Sequence, residues 1–136
     1  MMRKDAVCAM ENPFVAEIVE QLVELTSLRS DVVRQALAVP PSAQMGDYAF
    51  PCFAAAKALR KSPVRIAADF APDVRCGELL SRVEAAGPYI NFFLHREKFV
   101  SWVLKKVYLE KEKYGQADIG KGRTVVIEFS SPNIAK

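Results

Sequence analysis

Residues 124–129 form a nearly all-apolar run close to the end of the 136-residue sequence. Val125, Val126 and Ile127 follow one another directly, and Phe129 closes the run. Such a run is typical of a strand that is buried on both faces, as in a parallel sheet. A strand of this kind needs neighbouring strands and crossover helices, and the sequence supplies neither after it. We therefore expect residues 119–136 to be a linker followed by the first strand and loop of a second domain, which is incomplete here.

The preceding residues carry the patterns of a complete domain over residues 12–118, behind a loose tail at residues 1–11. Asn12 is a good N-cap and Pro13 suits the first helical turn, so the first helix begins there and runs to about Leu25. Ser30 is expected to cap the second helix, which Pro40 and Pro41 end. Apolar spacing and turn residues predict further helices at about 31–37, 52–59, 64–70 and 96–114, and strands at 48–50, 82–86 and 89–94. The predicted fold class is α+β, a small antiparallel sheet packed with helices.

Two of these helices carry more specific expectations. The alanine-rich segment from Cys52 to Leu59 is predicted to be a buried helix. The long helix at 96–114 should present one apolar face, and Gly115 should end it. That face comprises Phe99, Trp102, Val103 and Val107.

Composition excludes several classes of protein. Hydrophobic residues make up 51% and charged residues 26%, the mixture of an ordinary globular protein, and no apolar run reaches the roughly 18 residues that would span a membrane. The net charge of +3 permits a polyanionic partner without requiring one. Three scattered cysteines and a single histidine indicate a reducing, cytoplasmic location and no metal site.

The first candidate site lies in the segment G-P-Y-I-N-F-F-L at 87–94. Strand alternation places Ile90, Phe92 and Leu94 on a core face, and Tyr89, Asn91 and Phe93 on the opposite face. Tyr89 and Asn91 should project toward solvent or a shallow groove. An aromatic ring beside an amide suits an unstacked base, because the ring stacks and the amide reads a base edge. The alternative is a sheet buried between two layers, with both side chains satisfied internally; the pattern leaves both open.

The second candidate follows the apolar run at 124–129. Ligands of open α/β sheets bind beyond the carboxyl ends of the strands. Glu128 would be a buried carboxylate that needs a cationic partner, such as the guanidinium or ammonium group of a ligand. Asn133 can hold the polar ends of an amino acid, and Lys136 can meet a phosphate. The alternative is that Glu128 pairs with an arginine elsewhere and the loop is ordinary.

The third candidate is a basic cluster, and it is the better phosphate-binding candidate among the cationic segments. The lysines of the long helix alternate with glutamates, which indicates a solvated face. His95 lacks a nucleophile partner and is expected to be a cap or surface residue, so residues 12–118 show no catalytic constellation. The basic cluster comprises Lys57, Arg60, Lys61 and Arg65.

Three segments together resemble arginyl-tRNA synthetase, over nearly all of residues 12–136. They are G-D-Y-A-F-P at 46–51, G-P-Y-I-N-F-F-L at 87–94 and V-V-I-E-F-S-S-P-N-I-A-K at 125–136. In that family the last segment runs directly into the P-x-H-x-G-H signature of the ATP site, and this sequence breaks off just before it. The resemblance implies an N-terminal tRNA-binding domain, followed by the first strand of a Rossmann-type class I catalytic domain.

The resemblance also implies an activity and its residues. The whole enzyme would activate arginine with ATP and Mg²⁺ and transfer it to tRNA(Arg), whereas this fragment alone would be inactive and hold no cofactor. Tyr89 and Asn91 would bind a D-loop base at the tRNA elbow, Glu128 and Asn133 would bind arginine, and Lys136 would lie near ATP. Neither DNA nor a membrane is an expected partner. The alternatives are a non-enzymatic α+β protein-interaction domain and a different class I synthetase.

Overall fold

A computed structural model describes residues 12–116, together with residues 122, 124 and 126. Glu128, Asn133 and Lys136 lie outside the described residues. The strand expected at 124–129 also falls almost wholly outside them, so it stays a prediction.

The described residues form an α+β fold with a small antiparallel sheet, which confirms the predicted fold class. The helices are α1 (Pro13–Thr26), α2 (Ser30–Ala36), α3 (Phe53–Leu59), α4 (Pro63–Phe70) and α5 (Arg96–Glu110). The strands are β1 (Tyr48–Pro51), β2 (Leu80–Ala86) and β3 (Tyr89–Leu94). Short 3₁₀ turns lie at Ala43–Met45, Ala71–Asp73 and Lys111–Lys113.

Helix α1 begins where its sequence predicts. The Asn12 side chain accepts hydrogen bonds from the backbone N–H groups of Phe14 and Val15, at 3.0 and 3.2 Å. These bonds satisfy two amides that have no partner within the helix. The helix ends at Thr26, and its C-cap residue Ser27 has a left-handed backbone with φ of 55°.

Three predictions about helix ends and burial were wrong in detail. Ser30 is the first residue of α2, not its cap; Arg29 is the cap and makes no side-chain capping bond. Helix α5 ends at Glu110, four residues before Tyr114, because Lys111 leaves the helical conformation with φ of 50°. Within the segment predicted as a buried helix, Cys52 and Ala55 are fully buried, whereas Phe53, Lys57 and Ala58 are exposed, so α3 buries only one side.

The sheet has the strand order β1-β3-β2, and both pairings are antiparallel. Side chains alternate between its two faces, so Phe50, Ile90 and Phe92 enter the core. Helices α1 and α4 supply the apolar residues opposite them. The fully buried members of this core include Phe14, Ile18, Leu22, Phe50, Ile66, Leu80, Ile90 and Phe92.

The other face of the sheet is only partly covered. Tyr89, Asn91 and Phe93 of β3 alternate with the core residues and therefore share this outer face. Their register partners on β2 include Arg82 and Glu84, whose side chains are 57% and 49% exposed. A ligand can therefore reach this face of the sheet.

Helix α5 is attached by aromatic contacts. The rings of Phe99 and Trp102 pack edge-on against Phe14, with centroids 5.5 and 6.1 Å away. No residue of α5 is fully buried, and Val107 is exposed. The apolar face predicted for this helix is therefore only partly buried, because Phe14 contacts residues of its first two turns.

Candidate nucleic-acid interface

A groove of about 300 Å³ lies between the outer face of the sheet and the segment that connects α2 to β1. Its walls are mainly apolar. Strand β3 contributes Tyr89 and Asn91, which confirms that these two side chains share one face. We call it the Tyr89 groove; it is lined by Ala38, Val39, Pro40, Pro41, Met45, Ala49, Pro51, Tyr89 and Asn91.

The segment that walls the Tyr89 groove is fixed to the sheet at both ends. At one end, Ala38 and Ala49 exchange two backbone hydrogen bonds of 3.0 and 2.8 Å. At the other end, the Asp47 N–H donates to the carbonyl of Phe92 at 2.8 Å, and the Asp47 carboxylate accepts from the Leu94 N–H at 2.9 Å. Each anchor includes a backbone–backbone hydrogen bond, so contacts within the domain hold this segment against the sheet.

Tyr89 stands at the rim of the groove. Its side chain is 40% exposed, and its ring meets Phe53 of α3 edge-on with centroids 6.1 Å apart. This contact restricts the ring while part of it stays accessible. An accessible, oriented aromatic ring is a suitable platform for stacking.

Asn91 lies deeper than the sequence predicted, because only 4% of it is exposed. The structure records no hydrogen bond for its side chain among the described residues. Within that same part of the chain, no side-chain nitrogen or oxygen is both sealed from solvent and unpartnered. The Asn91 amide therefore retains access to the groove, where its hydrogen-bonding capacity is available to a ligand or water.

The basic cluster is only partly near the groove. Lys57 lies one turn after Phe53 on α3, so it shares the helix face that contacts Tyr89. Lys61 instead forms an ion pair with Asp69 at 3.0 Å. Arg60, just after α3, and Arg65, in α4, are exposed, and neither lines the Tyr89 groove.

Sequence reasoning missed the wall opposite the sheet. It treated Pro40 and Pro41 only as residues that end α2, and it assigned no role to Val39 or Met45. The signal in the sequence was a set of apolar side chains in the segment that connects α2 to β1, where the core of the domain does not require them. Val39 is 75% exposed and Met45 43% exposed.

Cys52 is expected to be unreactive in the folded protein. Burial raises the pKa of its thiol to about 11, so it stays protonated at neutral pH. We expect iodoacetamide to modify the exposed Cys76 much faster, as peptide mapping by mass spectrometry would show. Equal labelling would contradict this burial.

The raised pKa of Cys52 also predicts a pH dependence of stability. Because the unfolded thiol ionises near pH 9 and the folded thiol only near 11, the free energy of unfolding should fall as pH rises between these values.

Neither a cluster of metal-ligating side chains nor a membrane-spanning helix occurs among the described residues. No group of three or more His, Cys, Asp or Glu side chains there could hold a metal ion. No helix in that part of the chain is both long and apolar enough to cross a membrane.

The described residues form a small α+β domain with a groove on the outer face of its sheet. A family model described as "Arginyl tRNA synthetase N terminal domain" matches residues 14–94. The chain belongs to this family, as its sequence resemblance predicted.

Curated relatives agree with the family match. The chain is 44% identical over 119 residues to an arginine–tRNA ligase of Clostridium botulinum, which covers 88% of this chain and 21% of the relative. It is 43% identical to an arginine–tRNA ligase of Clostridioides difficile, over 83% of this chain and 20% of the relative. The chain thus spans about a fifth of these relatives.

A solved structure is also similar. It is the arginyl-tRNA synthetase of Thermus thermophilus, with a TM-score of 0.48 and 28% identity. The match covers 64% of this chain and 16% of that one.

Proposed function

We propose that this chain is the N-terminal, tRNA-binding part of a cytoplasmic arginine–tRNA ligase. The family match and the arginine–tRNA ligases of 43–44% identity support this proposal. Residues 12–118 form the binding domain in this proposal, and residues 119–136 lead into the class I catalytic domain. The whole enzyme joins arginine to tRNA(Arg) at the expense of ATP.

The Tyr89 groove carries the proposal for tRNA binding. An unstacked D-loop base enters it, stacks on Tyr89 and directs one edge toward the Asn91 amide. The apolar walls exclude water from the base, which strengthens the hydrogen bonds to Asn91. The observation that supports this arrangement is the juxtaposition of a half-exposed ring and an unengaged amide in one preformed groove.

The backbone of the RNA would run outside the groove. Lys57 lies on the α3 face that reaches Tyr89, so it is the member of the basic cluster best placed to meet a phosphate. Arg60 and Lys61 follow it in sequence and would extend this contact along the RNA. Phosphate contacts of this kind fix the position of the RNA, whereas Asn91 supplies the choice of base.

Catalytic chemistry belongs to the rest of the enzyme in this proposal. Glu128 and Asn133 would bind arginine, and Lys136 would lie near the phosphates of ATP. ATP and Mg²⁺ would be held by the catalytic domain, because the P-x-H-x-G-H signature of the ATP site does not occur in this sequence. The chain alone should therefore give no ATP–pyrophosphate exchange.

The proposed stacking contact predicts a large effect of Tyr89→Ala. Stacking of one base contributes about 1–3 kcal/mol, so tRNA(Arg) affinity should fall about 5- to 150-fold. Fluorescence anisotropy with a labelled tRNA(Arg) transcript measures this change. Tyr108→Ala is the matched control, because Tyr108 is a 77% exposed tyrosine on α5, and it should leave affinity unchanged.

Asn91→Ala should act differently from Tyr89→Ala. It should reduce discrimination among transcripts that differ at single D-loop bases more than it reduces affinity for the best transcript, because an amide reads a base edge. If Tyr89→Ala matches Tyr108→Ala, and Asn91→Ala leaves discrimination intact, the groove does not bind a base.

A non-enzymatic protein-interaction domain is the second candidate. Exposed apolar side chains on α5, including Leu104 and Leu109, favour it. The same titrations separate the two, because a protein-interaction domain would bind tRNA(Arg) no better than an unrelated RNA of equal length.

A further inference from the structure

A second cavity, of about 440 Å³, opens near the far end of β3 from Tyr89. Phe93 lines it, and Phe93 follows Asn91 by two residues on the same strand face. Two residues of a strand span about 7 Å, so the cavity and the Tyr89 groove are neighbours. We call it the Arg82 cavity; it is lined by Ala43, Asp47, Ser81, Arg82, Phe93, Leu94 and Arg96.

The Arg82 guanidinium is held in a defined orientation. It lies over the Phe93 ring, with its central carbon 3.9 Å from the ring centroid. Its Nε forms an ion pair with a Glu84 carboxylate oxygen, 3.2 Å away. Because this contact uses Nε, the two terminal nitrogens of Arg82 stay available to a further acceptor. The Arg82 side chain is 57% exposed.

A second guanidinium borders the same cavity. Arg96 is the first residue of α5 and is exposed, and the structure records no ion pair for it within the described residues. The other polar lining groups are engaged with the backbone. The Asp47 carboxylate accepts from the Leu94 N–H, and the Ser81 hydroxyl bonds to the carbonyls of Phe93 and Leu94 at 3.0 and 3.3 Å. An acceptor in the cavity therefore meets two arginines and one carboxylate that is already hydrogen-bonded.

We propose that Arg82, Phe93 and Arg96 form a second nucleotide subsite, which binds the phosphodiester group next to the base held in the Tyr89 groove. This inference rests on the proposed function. Guanidinium groups match the geometry of phosphate oxygens and remain charged at all relevant pH values. The Phe93 ring and Glu84 pre-orient Arg82, which lowers the entropy that ordering this side chain costs on binding. Because Phe93 follows Asn91 by two residues on β3, the phosphodiester in this subsite would belong to the nucleotide next to the bound base in the RNA chain.

Variants of the full 136-residue chain test the subsite. Arg82→Ala and Arg96→Ala should each weaken binding of the tRNA(Arg) transcript about tenfold, the size expected for a charge-assisted hydrogen bond. Each should also reduce the slope of log affinity against log salt by about 0.7. Arg75→Ala is the matched control, because Arg75 is an exposed arginine that is ion-paired to Glu24 beside α1. It should change neither quantity.

A neutral-linkage scan identifies the phosphate itself. Each transcript in the set carries a single methylphosphonate in place of one D-loop phosphodiester. The substitution at one of these positions should weaken binding to the unaltered chain. At that position, Arg82→Ala and Arg96→Ala should cause no additional loss, because the contact is already gone. Inorganic phosphate at millimolar concentration should not displace the RNA selectively from the unaltered chain.

The possible outcomes separate the two proposals. If both arginine variants behave like Arg75→Ala while Tyr89→Ala still weakens binding, the second subsite is wrong and the Tyr89 groove stands. The subsite does not bind an RNA phosphodiester if, at every methylphosphonate position, the arginine variants lose as much further affinity as they do with the unmodified transcript. The same conclusion follows if inorganic phosphate abolishes the share of RNA affinity that depends on Arg82 and Arg96. Loss of binding in the arginine variants alone, with Tyr89→Ala neutral, overturns the base groove and its link to this cavity.

Discussion

Phe92→Ala is expected to lower the free energy of unfolding by about 3–5 kcal/mol, the range for removing a buried aromatic side chain. Phe92 lies in the central strand, and its side chain is fully buried. Phe92 lies between Tyr48 of β1 and Val83 of β2, and the core that it joins includes residues of α1 and α4, so these elements cannot all move inward to fill the space left by the ring. Urea denaturation followed by circular dichroism measures the change.

Phe93→Ala is the matched control for this prediction. It removes the same side chain from the next residue of the same strand, but on the outer face, where the ring contacts Arg82. We expect less than half of the loss caused by Phe92→Ala, because an exposed cation–π contact contributes about 0.5–1 kcal/mol and the ring is only partly buried. Equal losses from both variants would show that both faces of the sheet are packed.

Gly46→Ala is expected to be the second strongly destabilising change. Gly46 has φ of 100° and ψ of 178°, a region that essentially only glycine occupies, and the backbone conformation alone costs a larger residue about 1–3 kcal/mol. A Cβ atom at this position would also lie 2.8 Å from the carbonyl oxygen of Phe92. Both the strain and the close contact are with backbone, so neither is relieved by a side-chain rotation.

Gly77→Ala provides the control for Gly46→Ala. No atom lies within 4 Å of the position that its Cβ would take, so its stability should stay within about 0.5 kcal/mol of the original. Gly46 also separates Met45, in the Tyr89 groove, from Asp47, in the Arg82 cavity. Gly46→Ala should therefore weaken tRNA binding even where the protein is still folded, and Gly77→Ala should not. Similar melting curves for the two variants would contradict the tight approach at Gly46.

Local signals predicted much of this fold. Asn12 and Pro13 located the start of α1, and the alternation of Ile90 and Phe92 with Tyr89 and Asn91 located the two faces of β3. These features depend on residues that are close in sequence. The depth of Asn91 was not predictable in the same way, because its cover comes from residues 38–45, which are remote in the chain.

Long-range contacts also explain the differences in the helices. The apolar face of α5 was recognised, but whether each side chain is covered depends on Phe14, more than 80 residues earlier. The exposed position of Phe53 depends likewise on Tyr89, across two intervening elements. The roles of Glu128, Asn133 and Lys136 stay predictions, because those residues lie outside the described part of the chain.

The attachment of α5 makes this helix a lever. Its ring contacts with Phe14 come from Phe99 and Trp102, and Glu110 lies eight residues beyond Trp102, about 12 Å along the axis. A tilt of α5 about the Phe14 contact would therefore displace Glu110 further than it displaces Trp102. The orientation of α5 thus depends on how Phe14 of α1 packs against the rings of Phe99 and Trp102.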